Sequence, residues 1–243
     1  MTADTLPLDQ IKMLSSMIKA MSPQKKESYG NIVSVKQALE KFDNKVCLLD
    51  TETTGLGRND RIIEISVIPF DLNTMQMGKS SSTFIDPRMR IPDEASKIHN
   101  IYDKDVIGKP TFETIIPRLF PYLSSRLVVI HNSKFDMRMI LNESKRAKVK
   151  LPSIYTLCTY NLSRHLFPGA IVKLQELHSR LIGAQEQTHS ALDDTLMLGR
   201  LFGYYVANFR DTVMDFNVEP SWVLNPPPRA QKNFPKTVIS KNA

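Results

Sequence analysis

Residues 46–56 carry the strongest signal in this chain of 243 residues. Four apolar residues at 46–49 predict a short buried strand, and Asp50 and Glu52 follow directly at its end. Side chains two positions apart share one face of an extended strand, so these two carboxylates point the same way. Carboxylates that lie close together repel each other unless a cation or a proton comes between them. Asp50 and Glu52 are therefore candidate metal ligands.

Two later segments place ionisable side chains beside the ends of predicted elements. An apolar strand at 127–130 leads into a polar turn, and Asp136 lies near the start of the helix that follows. Further on, His189 precedes another predicted helix and Asp194 follows it by five residues. Hard divalent cations such as Mg²⁺ and Mn²⁺ prefer oxygen ligands. A pair of such ions can hold both the attacking and the leaving oxygen of a phosphodiester.

Taken together, the three motifs resemble those of the DEDDh branch of the DnaQ-like 3′–5′ exonucleases. That family includes the proofreading epsilon subunit of bacterial DNA polymerase III, RNase T and oligoribonuclease. The first motif, at residues 50–56, is close to the form found in the polymerase-associated members. The segments 98–101 and 110–112 are also similar to the family's pattern, although Asn100 stands where glycine is common. The resemblance covers residues 45–207 and neither end of the chain.

This resemblance implies a metal-dependent 3′–5′ exonuclease that acts on DNA in proofreading or repair and releases nucleoside 5′-monophosphates. The implied ligands of two Mg²⁺ or Mn²⁺ ions are the carboxylates of Asp50, Glu52, Asp136 and Asp194. His189 is the implied general base, since an imidazole can accept a proton from water near neutral pH. The implied contacts to the 3′ end of a single-stranded DNA come from Thr53, Thr54, Leu56, His99 and Asn132.

Asp193 and Asp194 are adjacent, and the local sequence separates their roles. Ser190 and Asp193 have the spacing of a helix capping box, in which Ser190 is the N-cap residue and Asp193 occupies the third helical position. Asp193 is then expected to have a structural role, which leaves Asp194 to face the metals. His131, at the start of the second motif, is expected to hold its turn rather than to react.

The order of predicted elements indicates an α/β protein with a ribonuclease H-like fold, in which helices flank a central mixed sheet. We predict a helical N-terminal extension at 1–44, an exonuclease domain at 45–212 and a proline-rich basic tail at 213–243. Strands are predicted at 61–68, 82–85 and 126–131, and helices at 93–99, 111–124, 156–167, 173–182 and 190–209. Pro117 and Pro121 are expected to bend or break the second of these helices.

Composition limits the setting in which the protein works. The formal net charge of +7 is compatible with a polyanionic partner. The two cysteines give no disulfide framework, no apolar run approaches the length of a membrane span, and the first residues lack the pattern of a signal peptide. We therefore expect a cytoplasmic protein without a membrane partner. The extension and the tail are candidate contacts for a polymerase or another protein, and the tail is a candidate nucleic-acid arm.

Three questions stay open at the level of sequence. The enzyme could instead be an exoribonuclease of the RNase T or oligoribonuclease type. It could also be a non-catalytic subunit that uses this fold to bind nucleic acid, although all five motif residues are retained. A replicative proofreader and a stand-alone exonuclease are equally compatible with the motifs.

Overall fold

A mixed sheet organises residues 32–184 and 190–221, which are the residues that the computed structural model describes. Its strands are β1 (Val33–Ser34), β2 (Val46–Thr53), β3 (Ile62–Asp71), β4 (Gln76–Met77), β5 (Ser81–Phe84), β6 (Leu127–Ile130), β7 (Tyr155–Cys158) and β8 (Asn217–Pro220). They are ordered β1-β8-β7-β6-β2-β3-β4, and β5 pairs with β3. Strands β2, β6 and β7 are parallel, whereas β3, β5 and β8 pair in the antiparallel sense.

Helices cover both faces of this sheet. They are α1 (Val35–Lys41), α2 (Asp93–His99), α3 (Asp103–Val106), α4 (Phe112–Ser124), α5 (Ser133–Arg146), α6 (Thr159–Leu166), α7 (Leu174–Leu181), α8 (Ala191–Asn208) and α9 (Arg210–Asp215). Alternate residues of β2 face opposite sides: Cys47 and Leu49 pack with α4 and α5, while Leu48 packs with α8. This alternation decides which helix can reach each side chain at the end of β2.

Most predicted elements are confirmed within the described residues. The strands at 61–68, 82–85 and 126–131 correspond to β3, β5 and β6, and four of the predicted helices correspond to α2, α4, α7 and α8. Pro117 and Pro121 were expected to bend or break α4. A break is wrong, because the helix continues through both prolines. A buried apolar face on α4 offsets the hydrogen bonds that the prolines cannot make.

The helix predicted at 156–167 is wrong in its first turn. Tyr155–Cys158 forms strand β7, and α6 begins only at Thr159. All four residues of β7 are buried between β6 and β8, and a central strand that is buried on both faces lacks the alternation that marks a half-exposed strand. Cys47 and Cys158 are both buried free thiols, as a reduced protein requires.

The sheet extends past both predicted boundaries of the exonuclease domain. Strand β1 and helix α1 precede residue 45, and β8 follows residue 212, yet β8 pairs with β7 and β1 pairs with β8. Residues 1–31 of the predicted helical extension and the tail after Ser221 lie outside the described residues. Among the described helices, none combines the length and the apolar character needed to cross a membrane.

Candidate active site

The end of β2 forms the floor of the candidate site. Asp50 and Glu52 continue the face of β2 that carries Leu48, so both side chains lie on the side covered by α8. Opposite them on β3 are Ser66, which pairs with Asp50, and Glu64, which pairs with Glu52. The predicted common face of the two motif acids is therefore a consequence of strand geometry alone.

Helix α8 brings the third carboxylate to this floor. Ser190 is its N-cap residue, as predicted, and its hydroxyl oxygen accepts a hydrogen bond from the Asp193 N–H at 3.2 Å. The same hydroxyl donates to the Asp193 carboxylate at 2.9 Å. This arrangement directs Asp193 to the helix start, and Asp194 joins Asp50 and Glu52 in a group whose carboxylate oxygens all lie within 4.8 Å of one another.

Asp136 approaches from the other face of the sheet and is not a member of that three-residue group. It is buried in the first turn of α5, where its Oδ1 accepts a hydrogen bond from the Thr51 hydroxyl at 2.8 Å. Thr51 lies between the two motif acids on β2, so its side chain points to the α5 side of the sheet. Sequence analysis missed Thr51 as a positioning residue, because the hydrogen bond joins residues 85 positions apart.

Electrostatic repulsion and burial dominate the charge state of the site. Burial raises the pKa of Asp50 well above its ordinary value, and the carboxylates of Asp136, Asp194, Glu52 and Glu64 raise it further. Burial, followed by the neighbouring carboxylates, raises the pKa of Glu52 to about 8. Burial raises the pKa of Asp136 to about 7, although the hydrogen bond from Thr51 opposes this change. Among residues 32–184 and 190–221, no cationic side chain lowers the pKa of Asp50, Glu52 or Asp136.

This uncompensated charge predicts an unusual pH dependence of stability in the metal-free protein. The pKa values of Asp50, Glu52 and Asp136 are raised in the folded state, so the folded chain binds more protons than the unfolded chain near neutral pH. By linkage, the free energy of unfolding then falls as pH rises. We expect a loss of about 1–3 kcal/mol between about pH 6.5 and pH 8.

Urea unfolding in EDTA at these two pH values checks this expectation. Buried histidines oppose this loss only weakly, because their lowered folded-state pKa values, such as about 4 for His131, place most of their effect below the unfolded-state pKa of about 6.5. The Asp50→Asn variant should show a smaller loss, and saturating Mg²⁺ should suppress the loss in the unsubstituted protein. Stability that rises with pH over this window would contradict the charge state described here.

Glu64 is a second residue whose role sequence analysis missed. Its buried carboxylate accepts hydrogen bonds from the Ala191 N–H at 3.0 Å and from the Ser82 hydroxyl at 2.8 Å. Ala191 is the first residue of α8, where the helix dipole favours an anion. Glu64 therefore fixes the start of the helix that carries Asp194. The available signal was an acid in an otherwise apolar strand, which predicts a buried carboxylate with hydrogen-bond partners.

The donor set fits hard divalent cations. Three carboxylates within 4.8 Å of one another, with Asp136 close enough to raise the pKa of Asp50, supply only oxygen atoms and excess negative charge. Such a set matches the preference of Mg²⁺ and Mn²⁺ for oxygen ligands. We found no second group of this kind among residues 32–184 and 190–221.

The last residue of β2 and the turn that follows it contain three of the predicted nucleotide contacts. Thr53 and Thr54 are buried, and their hydroxyls are engaged within the turn, with the Gly55 carbonyl at 2.8 Å and the Asp60 carboxylate at 2.9 Å. Asp60 also accepts the Gly57 N–H at 2.6 Å. Leu56, by contrast, is 76% exposed at the tip of this turn. An exposed leucine held by a rigid turn can pack against a base.

Gly55 leaves room for the Asp60 carboxylate, which closes the turn by accepting hydrogen bonds from Thr54 and Gly57. A Cβ atom at Gly55 would lie only 2.7 Å from the Asp60 Oδ2 atom, so a larger residue would displace this carboxylate. The polar network of the turn therefore depends on glycine at this position.

The two remaining predicted contacts differ in their surroundings. His99 is buried at the end of α2, and its Nδ1 accepts the Ile101 N–H at 3.0 Å. Burial lowers the pKa of this imidazole, while the Thr53 backbone opposes the change. Asn132 is exposed at the N-cap of α5 in a left-handed conformation, φ 65° and ψ 48°. Asn132 is therefore accessible to a ligand, whereas His99 is held against the turn.

His131 has the structural role that was predicted for it. Its two ring nitrogens lie 3.0 Å from the Thr159 hydroxyl and 2.9 Å from the Val172 carbonyl, which ties the end of β6 to α6 and the loop before α7. Burial lowers its pKa to about 4, so this imidazole is neutral at physiological pH. His189, the predicted base, lies outside the described residues.

Comparison with known proteins supports the interpretation of this site. The family model described as an RNase T exonuclease matches residues 47–202. The chain is 32% identical over 187 residues to the DNA polymerase III epsilon subunit of Buchnera aphidicola subsp. Schizaphis graminum, which covers 72% of this chain and 80% of that protein.

Solved structures show the same fold. Exonuclease X in complex with 5′ overhanging duplex DNA matches with a TM-score of 0.57 and 26% identity, over 70% of this chain and 98% of that one. The nuclease domain of 3′hExo, a DEDDh family member bound to rAMP, matches with a TM-score of 0.62 and 14% identity, over 72% and 96% of the two chains. The predicted ribonuclease H-like fold is confirmed.

Proposed function

The chain belongs to the RNase T exonuclease family and is a metal-dependent 3′–5′ exonuclease, and we propose that it degrades single-stranded DNA in proofreading or repair. The DNA preference rests on the epsilon subunits among its relatives and on the form of its first motif. The products are nucleoside 5′-monophosphates.

One observation carries this proposal: the carboxylate oxygens of three motif acids meet within 4.8 Å at the end of β2. We propose that Asp50, Glu52, Asp136 and Asp194 hold two Mg²⁺ or Mn²⁺ ions. When bound, these cations supply positive charge that stabilises the attacking and leaving oxygens of a phosphodiester. Thr51 orients Asp136 for this task, and Glu64 orients the helix of Asp194.

The remaining groups position the substrate and handle the proton. In the proposed mechanism His189 accepts a proton from the attacking water, and the turn at 53–56 receives the terminal nucleotide. Leu56 packs against the base, and His99 and Asn132 complete the pocket. Contacts of this kind involve the sugar, the phosphate and the base face, so they carry little sequence information. An exonuclease needs such indifference to sequence.

Two segments outside the described residues are proposed as contacts for partners. None of the proposed site residues falls within the N-terminal residues 1–31 or the basic residues 222–243. We propose that one of them binds a polymerase or another protein, since the relatives of this chain include subunits of DNA polymerase III.

A comparison of substrates tests the proposed function. End-labelled single-stranded DNA, duplex DNA with a 3′ mismatch and RNA of the same sequence should be degraded from the 3′ end in the order DNA, mismatched duplex, RNA. EDTA should abolish the activity, and Mg²⁺ or Mn²⁺ should restore it, because the four acids cannot bind an anionic phosphate without cations. Faster degradation of RNA than DNA, or activity that persists in EDTA, would contradict the proposal.

A further inference from the structure

Helix α5 presents an exposed face that contains only basic charges. Lys134, Arg138 and Lys145 are all exposed and lie within about 40° of one another around the helix axis. The two acids of the same helix, Asp136 and Glu143, are both buried on its opposite side. We call the surface formed by Lys134, Arg138 and Lys145 the basic face of α5.

Glu143 does not neutralise the basic face, because other arginines already compensate it. Its carboxylate accepts two hydrogen bonds from Arg61, at 2.7 and 2.9 Å, and a third from Arg146 at 3.3 Å. The Glu143 side chain is only 2% exposed. The exposed cations of α5 therefore face solvent without an acidic neighbour on their own helix.

The basic face begins at the candidate active site. The Arg138 guanidinium donates to the Leu56 carbonyl at 3.0 Å and lies 5.5 Å from the centre of the Phe135 ring. Asp136 belongs to the same helical turn. From Lys134 the face runs along the helix to Lys145, a distance of about 17 Å. Because Arg138 contacts the loop that follows β2, residues 54–61, the basic face lies alongside this loop.

Hydrogen bonds fix the loop at 54–61 to α5, and Arg58 in this loop is a further cation beside the basic face. The Arg58 carbonyl accepts from Arg146 at 2.8 Å and from Asn142 at 3.5 Å. The Arg58 residue itself is exposed. The loop and α5 thus form one surface, along which Leu56 lies beside Arg138 and Arg58 lies beside Arg146.

We propose that the basic face of α5 binds the backbone phosphates of the substrate strand on the 5′ side of the terminal nucleotide. This inference rests on the proposed function, because it assumes a nucleic-acid strand whose 3′ end lies at Leu56. Lysine and arginine contacts to phosphates give affinity without sequence preference. The basic face would hold the strand while successive nucleotides are removed from its end.

Neutralising the two lysines of the basic face tests this inference. In Lys145→Gln and Lys134→Gln, the KM for a single-stranded DNA of about 20 nucleotides should rise roughly threefold to tenfold at low salt. Each variant should also reduce the slope of log K against log salt by about 0.7, the value for one lost phosphate contact on a single strand. The kcat should change much less than the KM. Lys36→Gln, an exposed lysine on α1, is the matched control and should leave the KM and the salt slope unchanged.

A dinucleotide separates failure of this inference from failure of the proposed function. A dinucleotide has a single internal phosphate, and Lys145 lies about 10 Å farther along α5 than Arg138, which contacts Leu56. Lys145→Gln should therefore raise the KM of the dinucleotide much less than that of the long strand. An unchanged KM and salt slope for the long strand in both variants would overturn the inference while leaving the exonuclease assignment intact. Absence of 3′ hydrolysis of either substrate by the unsubstituted enzyme would overturn the proposed function itself. Thermal unfolding of each variant identifies any loss that comes from misfolding.

Discussion

Asp194→Asn is expected to lower turnover by about 10³-fold or more, because it removes one of the proposed anionic metal ligands, and the bound cations stabilise the transition state by several kcal/mol. Asp194 lies within 4.8 Å of Asp50 and Glu52, and no other carboxylate of α8 belongs to that group. Single-turnover hydrolysis of single-stranded DNA at saturating Mg²⁺ measures this loss. The unfolding free energy in EDTA should not fall, since the substitution removes a repelling charge.

The adjacent residue provides a matched control of the same chemistry. Asp193→Asn should keep turnover within about threefold and cost about 0.5–1 kcal/mol of stability, because the Asp193 carboxylate accepts the Ser190 hydroxyl at the start of α8. Reversed results, with an inactive Asp193 variant and an active Asp194 variant, would show that the metal-facing carboxylate has been assigned to the wrong neighbour.

His189→Ala is expected to lower the rate by about 10²–10⁴-fold, the usual contribution of a general base. A base acts in its unprotonated form, so the rate of the unsubstituted enzyme should rise with pH as the imidazole loses its proton and then level off. The variant should lose this limb of the pH–rate profile. Because His189 is not proposed as a metal ligand, the affinity for Mn²⁺ should be retained.

Calorimetric titration of Mn²⁺ beside the pH–rate profile distinguishes the possible roles of this histidine. Lost Mn²⁺ affinity would make His189 a ligand, and an unaltered profile would remove it from the proton transfer. His165→Ala serves as the control, because His165 is exposed on α6 and belongs to no part of the proposed site. It should leave both the profile and the metal affinity unchanged.

The placement of Asp50 and Glu52 shows how far local sequence can predict a site. Their spacing on an apolar strand fixes a common face, and the structure places them there. Ser190 likewise predicts the first turn of α8, because capping involves residues only three positions apart. The three motifs also led to the correct family, since their order and separation can be read without coordinates.

Strands at the far side of the sheet were predicted less well. Residues 156–158 of β7 were assigned to a helix, and Asn217–Pro220, which forms β8, was assigned to the tail, although β7 and β8 pair with each other. Their partners lie more than sixty positions away in the chain, as the Thr156 hydroxyl and the Glu219 carbonyl illustrate. Strand formation here depends on burial between neighbours rather than on the local pattern of four residues.

The sequence by itself determined the chemistry of this protein: the acids, their order along the chain, and the strand face that Asp50 and Glu52 share. The tertiary structure decided how the site is held together. Thr51 meets Asp136 across 85 positions, and Glu64 meets the start of α8 across 127. Periodicity and capping act within a few residues, so they cannot report contacts that exist only after the sheet has assembled. The same reason applies to the basic face of α5, because only the contact between Arg138 and the Leu56 carbonyl places this face beside the candidate site.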